Sequence, residues 1–225
     1  MRAFESVRYQ DQAARLVESA LESGRLAHAY VFSGPQGVGR LTAALGLAAS
    51  LVCERQAGSG YCGGCRQCER VFRFDHPDVR VTVPVTGSTT EEQLLELFQR
   101  RATDGISPLE ISGKGYIGIA QVRAISQRLS RRAFENRGRV EIISGAESMR
   151  VEAANALLKT LEEPPPGVHL ILTTSSFSSL LPTVRSRSQL VRFRRIPAAA
   201  VARELEEKLQ VDPSCAMRIA AACNG

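Results

Sequence analysis

Apolar positions along this chain recur in two rhythms. Short apolar runs at Ala29 to Phe32, Val140 to Ile143, Leu170 to Thr173 and Leu190 to Phe193 read as strands, and Val79, Val81, Val83 and Val85 alternate as another. Helical spacing fills the intervals: Asp11 to Ser23, the stretch from Leu41 to about Val52, Thr89 to Ala102, and Ala120 to Phe134. Val151, Ala154, Leu157, Leu158 and Leu161 share one face of a further helix, which Pro164-Pro165-Pro166-Gly167 stops. Gly105 to Gly118, with Gly113-Lys114-Gly115, reads as a loop. Strands alternating with helices in this way predict an α/β fold with a mostly parallel, helix-covered sheet of five strands. From Pro197 onward, Ala198 to Leu209 and Pro213 to Cys223 predict a small helical appendage.

Length and composition leave that picture in place: 225 residues with 44% hydrophobic content suit one α/β domain plus an appendage. No apolar run approaches the ~20 residues of a membrane span, and the N-terminal Met1 to Arg8 has no apolar signal core, so a soluble cytoplasmic protein with no membrane partner is expected. Charge adds a candidate partner. The formal net charge is +6, and Arg123, Arg128, Arg131, Arg132, Arg137 and Arg139 crowd one segment, which suits either a polyanion such as nucleic acid or a solvated helix face. Lysine occurs only at Lys114, Lys159 and Lys208, so a preference for arginine is general in this chain.

Cysteine spacing is sharper. Cys53, Cys62, Cys65 and Cys68 form C-x8-C-x2-C-x2-C among several glycines. Each C-x2-C step lets a tight turn bring two sulfurs within ligand reach, and four thiolates can close a tetrahedron around Zn²⁺. Such a site has no open coordination position, so its metal would be structural. Cys215 and Cys223 lie far away in an Ala-rich helical stretch and are expected to pack as small apolar residues.

Gly34-Pro35-Gln36-Gly37-Val38-Gly39-Arg40-Leu41 sits between a strand and a helix with the spacing of a phosphate-binding loop, G-x-x-x-x-G-K-[ST]. Gly34, Gly37 and Gly39 supply the turn, but Arg40 stands where the phosphate-binding Lys belongs and Leu41 where a hydroxyl would hold Mg²⁺. Arg40 keeps the charge on a longer, forked side chain, whereas Leu41 has no oxygen. Thr42 comes one residue late.

Longer matches then become specific. Asn155-Ala156-Leu157-Leu158-Lys159-Thr160-Leu161-Glu162-Glu163-Pro164-Pro165 and Leu181-Pro182-Thr183-Val184-Arg185-Ser186-Arg187-Ser188 resemble the bacterial DNA polymerase III clamp-loader subunits, the delta-prime branch most nearly. The entry segment with His28-Ala29-Tyr30, the cysteine insert and His76-Pro77-Asp78 extend the resemblance over nearly the whole chain. It implies an AAA+ P-loop module over residues 1–196, with a zinc-binding insert at about 53–68, and a helical lid over 197–225. The family's helical collar domain would follow beyond Asn224-Gly225, where this sequence stops.

The resemblance also implies partners and roles. Partners would be the gamma/tau and delta subunits and, through the assembled complex, the sliding clamp and primed DNA. The chain would belong to the DNA-directed DNA polymerase III holoenzyme, a transferase complex. In the hydrolysing gamma/tau relatives the strand before the central helix ends in an acidic pair; here Ser144 and Gly145 stand in that place, and Glu147 reads as a solvated helix-entry residue. Loss of both metal-holding elements implies a subunit that neither binds ATP tightly nor hydrolyses it. Ser186-Arg187-Ser188 is similar to the family's Ser-Arg-Cys signature, whose arginine is offered to ATP on a neighbouring subunit. Arg123 is the candidate for DNA-backbone contact. The segment from Thr86 to Gly118 exceeds the family's typical link and receives no role. Two alternatives stay open: an active gamma/tau-like ATPase with a divergent loop, and a zinc-dependent nucleic-acid module.

Overall fold

The computed structural model describes residues 4, 7–56, 58, 60–135 and 137–223; Met1 to Ala3 and Asn224-Gly225 lie outside them. Its strands are β1 (Ala29–Ser33), β2 (Val79–Thr82), β3 (Arg139–Ser144), β4 (Val168–Thr174) and β5 (Gln189–Arg192). They form one parallel sheet in the order β2-β3-β4-β1-β5. Both faces of a parallel sheet are covered by crossover helices, which is why β1, β3 and β4 read as continuous apolar runs. Side chains alternate across the pleat, so Tyr30 and Phe32 join the core under α1 (Asp11–Glu22) and α2 (Arg40–Val52), while Ala29 and Val31 join the core on the other face. There α5 (Ile119–Leu129) and α6 (Val151–Glu162) pack, with Ile125, Leu157 and Leu161 fully buried.

Strand β2 is shorter than its valines predict. β2 ends at Thr82 because Pro84 has no N–H to continue a ladder, and Val85 instead pairs antiparallel with Tyr116. Helix α5 also stops early, at Leu129 rather than near Phe134. The chain turns there so that the amides of Phe134 and Glu135 donate to the Asp78 carboxylate at 2.8 and 2.7 Å.

Half of the basic segment is structural. Arg128 pairs with the buried Glu141 at 3.2 Å, Arg139 with Asp78 at 3.5 Å, and Arg137 donates to the Cys53 carbonyl at 2.8 Å. Burial pushes the Glu141 carboxyl up, with Arg128 and Thr82 opposing, so these partners are what make a charge tolerable inside the sheet. Arg123, Arg131 and Arg132 remain exposed.

Three short or intermediate helices complete the core: α3 (Arg66–Phe72), α4 (Glu91–Asp104) and α7 (Pro182–Ser186). Helices α8 (Ala198–Leu209) and α9 (Pro213–Ala222) follow as the expected pair, joined through Ala202, Ala216 and Ala220. Cys215 and Cys223 are exposed, contrary to expectation: the buried face of α9 carries Ala216 and Ala220 at i and i+4, Cys215 lies off that face, and Cys223 lies past the helix end as its extended C-cap. The connector into this pair is pinned from the N-terminal side. Buried Gln10 donates to the Arg194 carbonyl at 2.8 Å and accepts from its amide at 2.9 Å. Among the described residues, no helix is long and apolar enough to cross a membrane.

Candidate functional site

Strand β1 lies inside the sheet between β4 and β5 and opens at its carboxyl end into the glycine loop. Gly34 passes so close to β5 that a Cβ would lie 2.4 Å from the Phe193 carbonyl oxygen, and Gly39 caps α2 with φ of 91°. The loop therefore keeps the turn that its glycines predict. Gly37 and Gly39 line a cleft of about 890 Å³ together with Arg40, Leu41, Thr42, Ser144, Ser175 and Cys223.

The chemistry inside the cleft differs from that of an active loop. Burial pulls the Arg40 guanidinium below its ordinary value, with Glu147 and Glu110 opposing, and arginine remains charged throughout. Ser144 and Gly145 bring no carboxylate to the end of β3. Glu147 is half-buried rather than solvated: it folds back to accept from the Ser175 amide at 2.9 Å and from the Ser175 hydroxyl. Burial pushes its carboxyl up, but these Ser175 hydrogen bonds outweigh that and hold it below the usual carboxylate range.

Two cleft residues were not picked out in the sequence. Arg101 lies in the last turn of α4, is 8% exposed, and donates to Thr42 Oγ1 at 2.8 Å and to the Ser107 carbonyl at 3.2 Å. Glu110 accepts from Gln36 Nε2 at 2.9 Å. The signal for Arg101 was present in its spacing: Leu94, Leu97, Phe98 and Arg101 fall on one helical stripe, so an arginine occupies an inward position.

The four cysteines converge as expected. Their sulfurs all lie within 4.8 Å of one another, with Cys53 to Cys65 at 3.9 Å and Cys65 to Cys68 at 3.4 Å. Tetrahedral Zn²⁺ with Zn–S bonds of about 2.3 Å places its sulfurs roughly 3.8 Å apart, so this donor set fits the ion. The amides of Cys62 and Cys68 point at Cys53 Sγ and Cys65 Sγ. The thiols are unequal: the Gly64 amide leads in lowering Cys62 to about 6, whereas burial pushes Cys53 and Cys68 up. Cys53, Cys65 and Cys68 are also continuous with the core beneath α2.

Arg187 caps the C-terminus of α7 and does not line the cleft. Its guanidinium pairs with Glu162 at 2.8 Å and donates to the Thr183 carbonyl at 3.2 Å, at a partly exposed corner. Ser188 Oγ, where the family motif carries Cys, is buried with no hydrogen-bond partner among the described residues. Arg123 projects from the exposed face of α5, apart from the other three sites.

A parallel five-stranded sheet whose inner strand opens into a glycine loop and helix is a P-loop type of α/β fold. Thermotoga maritima RuvB, a Holliday junction branch migration motor, shares it with a TM-score of 0.51 at 14% identity over 96% of this chain and 55% of that one. Residues 9–197 match the family described as DNA polymerase III, delta subunit, and the chain belongs to that family. It is 33% identical to Bacillus subtilis DNA polymerase III subunit delta' over 94% of its own length and 55% of the relative's. The corresponding Pseudomonas aeruginosa subunit is 33% identical over 88% of this chain and 53% of the relative, and Mycobacterium tuberculosis gamma/tau is 30% identical over 87% and 29%. The chain thus spans about half the length, or less, of these relatives.

Proposed function

We propose that this chain is the AAA+ portion, with helical lid, of a clamp-loader subunit that does not hydrolyse ATP itself and instead offers Arg187 to ATP held by an adjacent gamma/tau subunit. The observation that carries this reading is the cleft: Arg40 and Leu41 replace the Lys and hydroxyl, and Ser144 and Gly145 bring no carboxylate for Mg²⁺. Phosphoryl transfer depends almost wholly on such positioning and charge, so losing both metal-holding elements removes intrinsic activity. Arg187 suits a role in trans because its fork can grip phosphate oxygens bidentately. To do so it must exchange Glu162 for phosphate, and a partly exposed pair costs little to open, about 0–1 kcal/mol.

Four further assignments belong to the same reading. Cys53, Cys62, Cys65 and Cys68 hold a structural Zn²⁺; Arg123 faces the DNA backbone in the assembled loader; residues 1–196 and 197–225 form core and lid; and the protein works in the cytoplasm with gamma/tau, delta, the sliding clamp and primed DNA. Reconstitution of the full-length subunit with gamma/tau and delta tests the central point. Arg187→Ala should assemble normally yet lower DNA- and clamp-stimulated ATPase, by up to ~10³-fold at the one site it serves and less over a ring with several sites. Equal rates at equal assembly would overturn the role in trans.

One observation favours the competing reading of an active, gamma/tau-like ATPase: Glu147 places a carboxylate beside Arg40, and its Oε2 is buried with no hydrogen-bond partner among the described residues. Titration with Mg-ATP separates the two readings, since a motor must bind it.

A further inference from the structure

The segment from Thr86 to Gly118, which the sequence leaves without a role, meets the altered loop residue by residue. Leu41 packs against the small apolar cluster of Val83, Leu97 and Leu109 that anchors this segment. Thr42 accepts from Arg101 of α4 at 2.8 Å. Gln36 donates to Glu110 at 2.9 Å, and the same Glu110 is one of the two carboxylates acting on Arg40. Leu41 and Thr42 thus contact the 86–118 segment directly, and Arg40 shares the lining of one cleft with its Glu110. A methyl-rich side chain at 41 is poor chemistry for Mg²⁺ but good chemistry for packing, and Leu41 bridges this cluster and the main core.

We propose that the loop has become the docking site of the 86–118 segment, which brings the Glu110 carboxylate into the cleft that Arg40 lines. Arg101 is the pin. Burying a guanidinium is costly unless its donors are satisfied, and here one donor is satisfied across the join by Thr42 and another by Ser107 within the segment. Glu110 is the internal anion, exposed at the rim and hydrogen-bonded to the loop. The cleft is not filled; an anionic side chain of the chain's own shares its lining with Arg40. Docking in this sense is independent of whether Arg187 acts in trans, so either can fail alone.

Hydrogen exchange and anion titration on the full chain test the docking. In Arg101→Met, amides of residues 88–112 and the first turn of α2 should exchange about tenfold faster while the sheet stays protected, as expected for losing hydrogen bonds to a charged group. In Glu110→Gln, tripolyphosphate without metal should bind roughly threefold more tightly, because an exposed competing carboxylate has gone. Unchanged exchange in folded Arg101→Met overturns the docking. Glu110 lies at the surface, so Glu110→Gln gives an answer even if Arg101→Met does not fold, and an unchanged tripolyphosphate affinity there also overturns it.

Discussion

The chain carries two segments between its core elements, and they are held by opposite means. The one after α2 is short, and its four sulfurs converge within 4.8 Å while three of its cysteines merge into the main core. The one after β2 has its own helix, a separate apolar cluster around Val83, Leu97 and Leu109, and a few polar pins to the glycine loop. A metal-type site concentrates its binding energy in a few bonds, whereas the second segment spreads a smaller amount over packing and hydrogen bonds. Loosening should therefore be abrupt in the first and graded in the second.

The strongest way to break that contrast is to remove two sulfurs. Cys65→Ser with Cys68→Ser should take bound zinc from about one ion per chain to none by elemental analysis, and should unfold α3, because apparent zinc affinities at such sites are on the order of 10 kcal/mol. The shared core means that part of the loss should reach α2 and lower the melting temperature of the whole chain. Wild-type protein purified without chelator and found free of metal would remove the basis of the contrast. Leu97→Ala should cost the second segment about 2–5 kcal/mol through a buried cavity. Exchange should rise across 86–118 and leave β1, β3 and β4 protected; a matching loss of protection in those strands would show the segment to be part of the central core. The finest test is the capping box of α4, in which Thr90 Oγ1 accepts from the Gln93 amide at 3.2 Å and the Gln93 side chain answers at 3.0 Å. Thr90→Ala should cost about 1 kcal/mol and fray only the first turn of α4, read by exchange at residues 91–95.

The two segments also differ in how far they could be read from the sequence. Cysteine spacing carries its own geometry, so Cys53, Cys62, Cys65 and Cys68 were recognisable without any knowledge of their surroundings. The same holds for all five strands and for α6, whose apolar periods are local. The partners of Arg101 and Glu110 lie at Thr42 and Gln36, more than fifty residues away, and no local pattern reports such a pairing. Helix α3 is not legible because its seven residues are too few to show a period, and α7, with five, has fewer still. The overlong readings of β2 and α5 share one cause: Pro84 and the Asp78 carboxylate redirect the backbone where side-chain pattern alone would continue it. Glu147 was misjudged because its capture by Ser175 depends on β4 running beside β3.

Gln10 has a mechanical consequence. By gripping both backbone groups of Arg194 it fastens the end of β5 to the start of α1, so strain arriving from α8 and α9 is stopped before it reaches the sheet. Beyond that clamp Arg195 is exposed, Ile196 packs against the main core, and Pro197 stiffens the entry to α8. Any swing of the two terminal helices must therefore work against the Ile196 packing and the Arg8–Glu204 ion pair, whose arginine is exposed and so open to screening by salt.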